Sequence, residues 1–499
     1  VGAAVAAGFC PAGVIPLTGV IPLRSSPLAK FEQLADQMQA QLQAGIWQPG
    51  EKLPSLREKA VHSGLSLMTV LHAYQLLESQ GWIISRPQSG YYAAPRERPI
   101  APPASGDAVH LTEHVDINSF IFDVLHASRS PGVVPFGSAF PDPRLFPQRQ
   151  LTRSLATVAR RMQPENAVDN LPPGNERLRK QIAQRYALQG IAVSPDEIVI
   201  TSGAMESLNL SLQMLTRPGD YVVVESPSFY GALQAIERLQ LKAIAIATHP
   251  HTGVDLAALR QALHDYPIRA CWLMTNFHNP LGCTLAWEKK QQLAALLREH
   301  QVPLIEDDVY SELYAGTYRP LPVKALDSDG QVLHCSSFSK NLVAGFRVGW
   351  VAAGRWAQGI QRLQLMSTLS ASAPMQLAVA DYLATSSYDS HLRRLRRTLE
   401  QRKHRLYQAM KVHFPAGVDI YYAEGGYFLW LGLPEAFNSI ELYQQALAQG
   451  ISIAPGRMFT TGDKFDRYFR INTSFEWQEK TENAIIALAA LLKKGLSSS

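Results

Sequence analysis

A chain of 499 residues exceeds one ordinary domain and can bury large cores. Its 46% hydrophobic and 18% charged content excludes disordered and fibrous classes, and a net charge of +5 is too small to define a partner. Beyond residue 25 no stretch approaches the ~20 continuous apolar residues of a membrane-spanning helix.

The chain opens on an apolar stretch, Val1 to Leu23, with prolines at 11, 16 and 22 and no basic residue before Arg24. A secretory signal needs positive charge ahead of an unbroken apolar core, so residues 1–25 are expected to be a disordered or expression-derived leader. Cys10, Cys271, Cys283 and Cys335 form no CxxC pair, and their apolar contexts predict buried free thiols and a reducing compartment.

Residues 26–94 read as one compact unit. Apolar positions 31, 34, 38 and 42 give a helical period that stops at Gly45. Ser55 is placed to cap a short helix to Ser63, Gly64 turns the chain, and Ser66 caps a second helix through Gln80. Trp82–Ser85 and Tyr91–Ala93, flanking Arg86–Gly90, predict a two-stranded wing. Two helices across a glycine turn followed by a hairpin make a winged helix-turn-helix, a double-stranded DNA reader.

Three runs carry a resemblance to the GntR family of regulators: Pro49-Gly50-Glu51-Lys52-Leu53-Pro54-Ser55-Leu56-Arg57, Ser66-Leu67-Met68-Thr69-Val70, and Gly90-Tyr91. The resemblance implies operator DNA as partner and Lys52, Ser55, Arg57, Ser66, Met68, Thr69, His72, Arg86 and Ser89 as contacts. The family usually has a basic residue directly after the serine. Here Leu67 stands in that place, which removes one phosphate or base contact. Five Lys/Arg and five Asp/Glu between residues 26 and 95 leave the unit neutral, so its DNA attraction depends on where the cations cluster.

Four prolines between Ala94 and Gly106 predict a semi-extended linker over 95–130, with helical periodicity returning at 111–128. From about Pro131 strands and helices alternate: strands at 197–201, 221–225, 268–275, 302–306 and 332–335, and a helix at 204–215. This predicts a mostly parallel sheet covered by helices over 131–390. Residues 391–499 turn to helices with short antiparallel strands, a smaller lobe. The cations between His391 and Arg405 are expected to form the solvated face of a long helix.

Ligands of such sheets bind at the carboxyl ends of strands, and four motifs fall there. Thr201-Ser202-Gly203-Ala204-Met205 closes a strand and opens a helix, a phosphate cradle. Asn279-Pro280-Leu281-Gly282 and Glu306-Asp307-Asp308-Val309-Tyr310 end the next strands, and Ser336-Ser337-Phe338-Ser339-Lys340 leads, seven residues on, to Arg347. A lysine amine can bond an aldehyde, serines and an arginine hold a phosphate dianion, and a carboxylate keeps a pyridine ring protonated.

In this order the motifs resemble fold-type I, aspartate-aminotransferase-like enzymes, whose cofactor is pyridoxal 5'-phosphate. The resemblance implies Lys340 as the Schiff-base (catalytic) lysine, Asp307 as partner of the pyridine nitrogen, and Asn279 and Tyr310 as partners of the phenolic oxygen. It implies Ser337, Ser339, Arg347 and the Ala204-Met205 backbone as the phosphate site, Phe229 as the ring-stacking aromatic, and Arg470 as a carboxylate clamp. One position departs: a tyrosine that the family places shortly before the glycine matching Gly174 is missing from Asp169-Asn170-Leu171-Pro172-Pro173-Gly174.

A winged helix joined to an aminotransferase-like domain is similar to the MocR (PdxR/GabR-like) subfamily of GntR regulators. That implies a bacterial cytoplasmic transcription factor, a head-to-tail homodimer. It would sense pyridoxal phosphate or an amine or amino-acid effector through an internal or external aldimine on Lys340. A working class I aminotransferase carrying a DNA-binding module is the alternative.

Overall fold

The structure, a computed structural model, describes residues 30–48, 50–86, 89–94, 109–112, 118–164, 171–385, 387–435, 437–462 and 464–498. The leader 1–25 and most of the proline-rich linker therefore lie outside the described residues. The chain divides into two compact units, residues 1–100 and 101–499.

In the first unit, α1 (Lys30–Gln43), α2 (Leu56–Ser63) and α3 (Leu67–Ser79) precede a hairpin of β1 (Ile83–Arg86) and β2 (Gly90–Ala93). Ser55 and Glu58 form a reciprocal capping box at α2, and Gly64 ends that helix at φ 66°, a left-handed turn that favours glycine. Ser66 accepts the Thr69 amide and starts α3. Leu34, Met38, Leu42, Val70, Tyr74, Leu77 and Ile83 share one core, and the Tyr74 hydroxyl donates to the Pro54 carbonyl at 2.8 Å. Residues 50–53, ahead of α2, also pair with the wing. Gly50 donates to Ala93, Ala93 to Glu51, and Leu53 to Tyr91.

The second unit runs β3 (Val109–Thr112), α4 (Asn118–Ala127), β4 (Val134–Pro135), α5 (Gln148–Arg161), α6 (Glu176–Ala187), β5 (Ile198–Thr201), α7 (Ala204–Leu215), β6 (Tyr221–Ser226) and α8 (Tyr230–Arg238). It continues with β7 (Lys242–His249), β8 (Gly253–Val254), α9 (Leu256–Asp265), β9 (Ile268–Leu273), α10 (Trp287–Glu299), β10 (Leu304–Asp307), β11 (Val332–Ser337) and β12 (Gly349–Ala352). After α11 (Ala357–Ser367), α12 (Ala373–Leu383) and α13 (Ser387–His413) come β13 (Asp419–Tyr421), β14 (Phe428–Gly432), α14 (Ser439–Ala448), β15 (Ile451–Ser452), β16 (Ala454–Pro455), β17 (Tyr468–Asn472) and α15 (Glu479–Ser498).

The large sheet has the order β3-β7-β6-β9-β10-β11-β12-β5. The five strands from β7 to β11 are parallel, and their side chains are mostly buried, with β7 alternating between buried and half-buried, as expected where helices cover both faces. β12 is antiparallel to both neighbours. It returns directly after the lysine loop and places Gly349 opposite both Ser337 and Thr201. Any Cβ at Gly349 would sit 2.6 Å from the Gly203 carbonyl carbon, so glycine is required for this approach.

Residues 109–112, within the expected linker, form an edge strand on β7, and the helix expected over 111–128 is described over 118–127. A four-stranded antiparallel sheet, β13-β14-β17-β16, builds the smaller lobe. β4 pairs with β15, and Phe136 accepts from the Asn472 amide, so the segment after Pro135 lies along that lobe.

The α13 cations correct the expectation of one solvated face. Arg396 pairs with Glu312, Arg402 with Asp142, and fully buried Lys403 donates to the carbonyls of Ala423 and Gly425 at 2.7 Å. Only Arg393, Arg394, Arg397 and Arg405 among those cations are exposed. Cys271, Cys283 and Cys335 are buried free thiols. Among the described residues no helix is long and apolar enough to cross a membrane.

Candidate functional site

The carboxyl ends of β5, β6, β9, β10 and β11 lie along one edge of the large sheet, and each delivers a chemically useful residue. Asp307 ends β10 with its side chain 1% exposed and its Oδ1 without a hydrogen-bond partner. Burial and the neighbouring Asp308 push this carboxyl up to about 7. Asp308 is the opposite case. His334 Nε2 at 2.9 Å and the Asn276 amide at 3.1 Å hold it below the usual carboxylate range despite burial. Adjacent carboxylates thus differ because one is fully partnered and the other is not.

Lys340 follows β11 by three residues. Its Nζ donates to the Ala139 carbonyl at 2.9 Å, lies 4.2 Å from the Phe140 ring centroid and 5.9 Å from that of Tyr310. Burial, with Arg470 and Arg347 adding positive charge, lowers the ammonium to about 7. The shift favours the free amine, the nucleophilic form, far nearer neutral pH than for a solvated lysine.

Arg347 adopts φ 53°, uncommon outside glycine, in the turn that returns to β12. Its guanidinium reaches Ser339 Oγ at 3.5 Å and the Ser202 carbonyl at 3.3 Å. A Cβ at Gly203 would lie 2.5 Å from Arg347 Nη2, so the α7 start and the guanidinium close on each other only through a glycine. Ala204 and Met205 are the first residues of α7, whose free amides and dipole favour an anion. Ser337 and Ser339 are buried beside this cradle, and the Ser339 amide donates to Ser337 Oγ at 3.4 Å. Phe229 caps α8 and its ring packs over Gly231, which also faces Met205.

Asn279, fully buried, bridges two groups. Its Nδ2 donates to Tyr310 Oη at 3.5 Å, and its Oδ1 accepts from Arg470 Nη1 at 2.7 Å. Arg470, on β17, is also fully buried. It donates to the Gly137 carbonyl at 2.9 Å, lies 4.2 Å from the Phe428 ring centroid, and leaves Nε unpartnered. Among the described residues no carboxylate pairs with it. A buried guanidinium held only by neutral acceptors is short of an anion.

Reasoning from the sequence missed the segment 137–140 and Tyr427. The carbonyls of Gly137 and Ala139 hold Arg470 and Lys340, and Tyr427 Oη donates to Ala139 at 3.0 Å. No motif marks them, because any residue supplies a carbonyl. The place of the missing tyrosine falls at the edge of residues 165–170, which lie outside the described residues.

In the first unit Lys52, Ser55, Arg57, Ser66, Met68, His72, Arg86 and Ser89 are exposed and Thr69 is half-buried. Arg86 stacks 4.3 Å from the Tyr92 centroid, Ser89 Oγ bonds Tyr92 Oη at 2.5 Å, and Lys52 bridges Tyr92 through its backbone. These three gather on one aromatic of the wing. His72 leans edge-on against Phe31 of α1.

The fold and this constellation define a fold-type I protein, the class whose cofactor is pyridoxal phosphate, fused to a winged helix-turn-helix. A family model described as "Aminotransferase class I and II" matches residues 147–488, and one for "Bacterial regulatory proteins, gntR family" matches residues 30–92. The chain belongs to the class I and II aminotransferase family and, through its N-terminal unit, to the GntR-family transcriptional regulators of MocR-like arrangement. It is 60% identical to the HTH-type transcriptional regulator YdcR of Escherichia coli (strain K12) over 94% of this chain and 100% of that protein. Identity to YjiR of the same organism is 34%, over 92% and 97%. The α-aminoadipate aminotransferase LysN of Thermus thermophilus, solved with N-(5'-phosphopyridoxyl)-L-leucine, shares the fold at TM-score 0.69 and 25% identity, covering 77% of this chain and 100% of that one.

The residues present fit the cofactor. The orphaned Asp307 oxygen suits a protonated ring nitrogen, and the glycine-dependent cradle at Gly203 and Arg347 suits a phosphate. Lys340 Nζ stands close to Tyr310. Burial moves both Lys340 and Asp307 to about 7, and the roles expected of them need the deprotonated form. The rate of pyridoxal phosphate capture by apo-protein is therefore expected to rise with pH through about 7 and then level off, as followed by stopped-flow absorbance. A rate that falls over that range would contradict these assignments.

Proposed function

We propose that this regulator senses pyridoxal phosphate, and an amine or amino-acid effector that competes for its aldehyde, through Lys340, and transmits that state to operator DNA as a homodimer. Bound pyridoxal phosphate supplies an aldehyde carbon and an electron-withdrawing ring. Lys340 Nζ would bond the aldehyde carbon, whose oxygen would leave as water, and its lowered affinity for protons would suit it both as that nucleophile and as the amine that a competing amine displaces. Asp307 would hold the proton on the ring nitrogen, Asn279 and Tyr310 would orient the phenolic oxygen, and Phe229 would stack on the ring. Ser337, Ser339, Arg347 and the Ala204-Met205 amides would grip the phosphate.

The observation that carries the reading is Arg470: a fully buried guanidinium without an anionic partner among the described residues, linked through Asn279 to the phenolic-oxygen site. A ligand carboxylate would supply the missing charge bidentately, which points to an amino acid rather than a simple amine. Arg470→Lys keeps the charge and loses the fork. It is expected to weaken amino-acid effectors about ten- to a hundredfold while leaving simple amines unchanged, in cofactor absorbance titrations. Equal losses for both ligand types would remove the clamp.

A second reading, turnover as an aminotransferase, is favoured by the same free amine at neutral pH. Mixing holo-protein with an amino-acid panel separates the two. The sensor reading expects a spectral change without stoichiometric release of 2-oxo acid, and rapid stoichiometric release supports the enzyme.

A further inference from the structure

The recognition helix of the N-terminal unit has an unusual side-chain chemistry for a DNA reader. From Ala60 to Ser85 the chain contains no lysine, arginine or asparagine. The exposed cations Lys52, Arg57 and Arg86 all lie outside α3. What α3 presents at its start is apolar: Leu67 is 47% exposed and Met68 58%. The hydroxyls beside them are engaged with each other, Ser66 Oγ to Thr69 Oγ1 at 2.8 Å, while Ser66 also caps the helix.

In helix-turn-helix complexes the first residues of the second helix meet base edges in the major groove. There guanine is read bidentately by Arg or Lys, and the thymine C5-methyl group by apolar contact. A helix start without a cation has lost the guanine option. Two adjacent apolar side chains held at that end by a satisfied cap have the thymine option.

Resting on the regulator reading above, we propose that Leu67 and Met68 are specificity-determining residues that pack on thymine methyl groups. The operator half-site then carries T·A pairs at the steps facing the α3 start. The cations at Lys52, Arg57 and Arg86 contribute sequence-independent phosphate contacts. Affinity and sequence choice thus come from different elements: salt should weaken all sequences alike, and base identity should act through the apolar pair.

The test uses the full-length holo-protein and DNA selected by it from random duplexes. Each thymine in the selected sequence is replaced by deoxyuridine, which lacks only the methyl group. At one or two positions per half-site the wild type should lose about fourfold in affinity, the worth of one buried methyl group. Those same substitutions should cost the Leu67→Ala, Met68→Ala double variant nothing. Both side chains are exposed, so unchanged thermal unfolding of the variant verifies its fold. Leu67→Arg should in turn move the preferred base at one position toward guanine. Deoxyuridine without effect at every position, or losses that persist in the double variant, would overturn the methyl contact while leaving operator binding intact. Failure of the selection to enrich any sequence would overturn the regulator reading and this inference with it.

Discussion

Lys340→Ala is expected to abolish the covalent absorbance band of the holo-protein and to release all cofactor on desalting. The bond to the aldehyde needs an amine at that position, and no other lysine is placed among the groups described at the site. The apo-protein should keep its fold. Among the described residues Lys340 donates to the Ala139 carbonyl alone, which Tyr427 Oη also serves, so no acceptor there is orphaned by its loss. Removing a desolvated cation even relieves an unfavourable burial. Absorbance before and after gel filtration, with thermal unfolding of the apo-form, checks both halves. A stable variant that retained the band would place the attachment at another lysine.

Asp307→Asn should weaken pyridoxal phosphate binding by about thirty- to several-thousand-fold, the range for removing one partner of a buried charge pair. The substitution preserves shape and removes charge. Among the described residues Oδ1 has no hydrogen-bond partner, so that oxygen carries little of the apo-structure, and an asparagine keeps an oxygen for the Val309 amide. The pH dependence has a definite sign. Burial and Asp308 raise the free carboxyl to about 7, while a protonated ring nitrogen beside it favours the ionised form. Wild-type cofactor affinity should therefore decline as pH falls below about 7, and the Asp307→Asn variant should lose that dependence. Equilibrium titration of apo-protein across that range is the check. An unchanged affinity in the variant would move the ring nitrogen away from Asp307.

Side chains with singular chemistry were legible in the sequence because their neighbours constrain them. Lys340 sits at a strand end with serines before it and Arg347 after it, and Asp307 and Tyr310 follow another strand at a spacing of three. The helix-turn-helix was legible for a similar reason: Ser55, Gly64 and Ser66 are caps and a turn whose local geometry needs those residues.

What stayed hidden depends on backbone atoms or on tertiary partners. β12 begins at Gly349, two residues beyond Arg347, and is not among the strands expected from the sequence. Only the close approach of Gly203 shows why Gly349 is a strand glycine. Residues 109–112 look like the continuation of a linker, and become a strand because β7 offers an unpaired edge. The α13 cations have the pattern of a solvated face. Arg396, Arg402 and Lys403 find Glu312, Asp142 and two carbonyls on segments remote in sequence. The carbonyls at Gly137 and Ala139 carry no side-chain signature at all.

The central claim is that occupancy of the Lys340 site changes what the winged helix does on DNA. Its most direct test is the affinity and footprint of the full-length protein on selected operator DNA, measured as apo-protein, with pyridoxal phosphate, and with cofactor plus an amino-acid panel. A linked sensor predicts an affinity shift of about 5- to 150-fold between at least two of these states, or a changed footprint. It also predicts that Lys340→Ala no longer responds to the amino acids. Identical affinity and footprint in all three states would contradict the account.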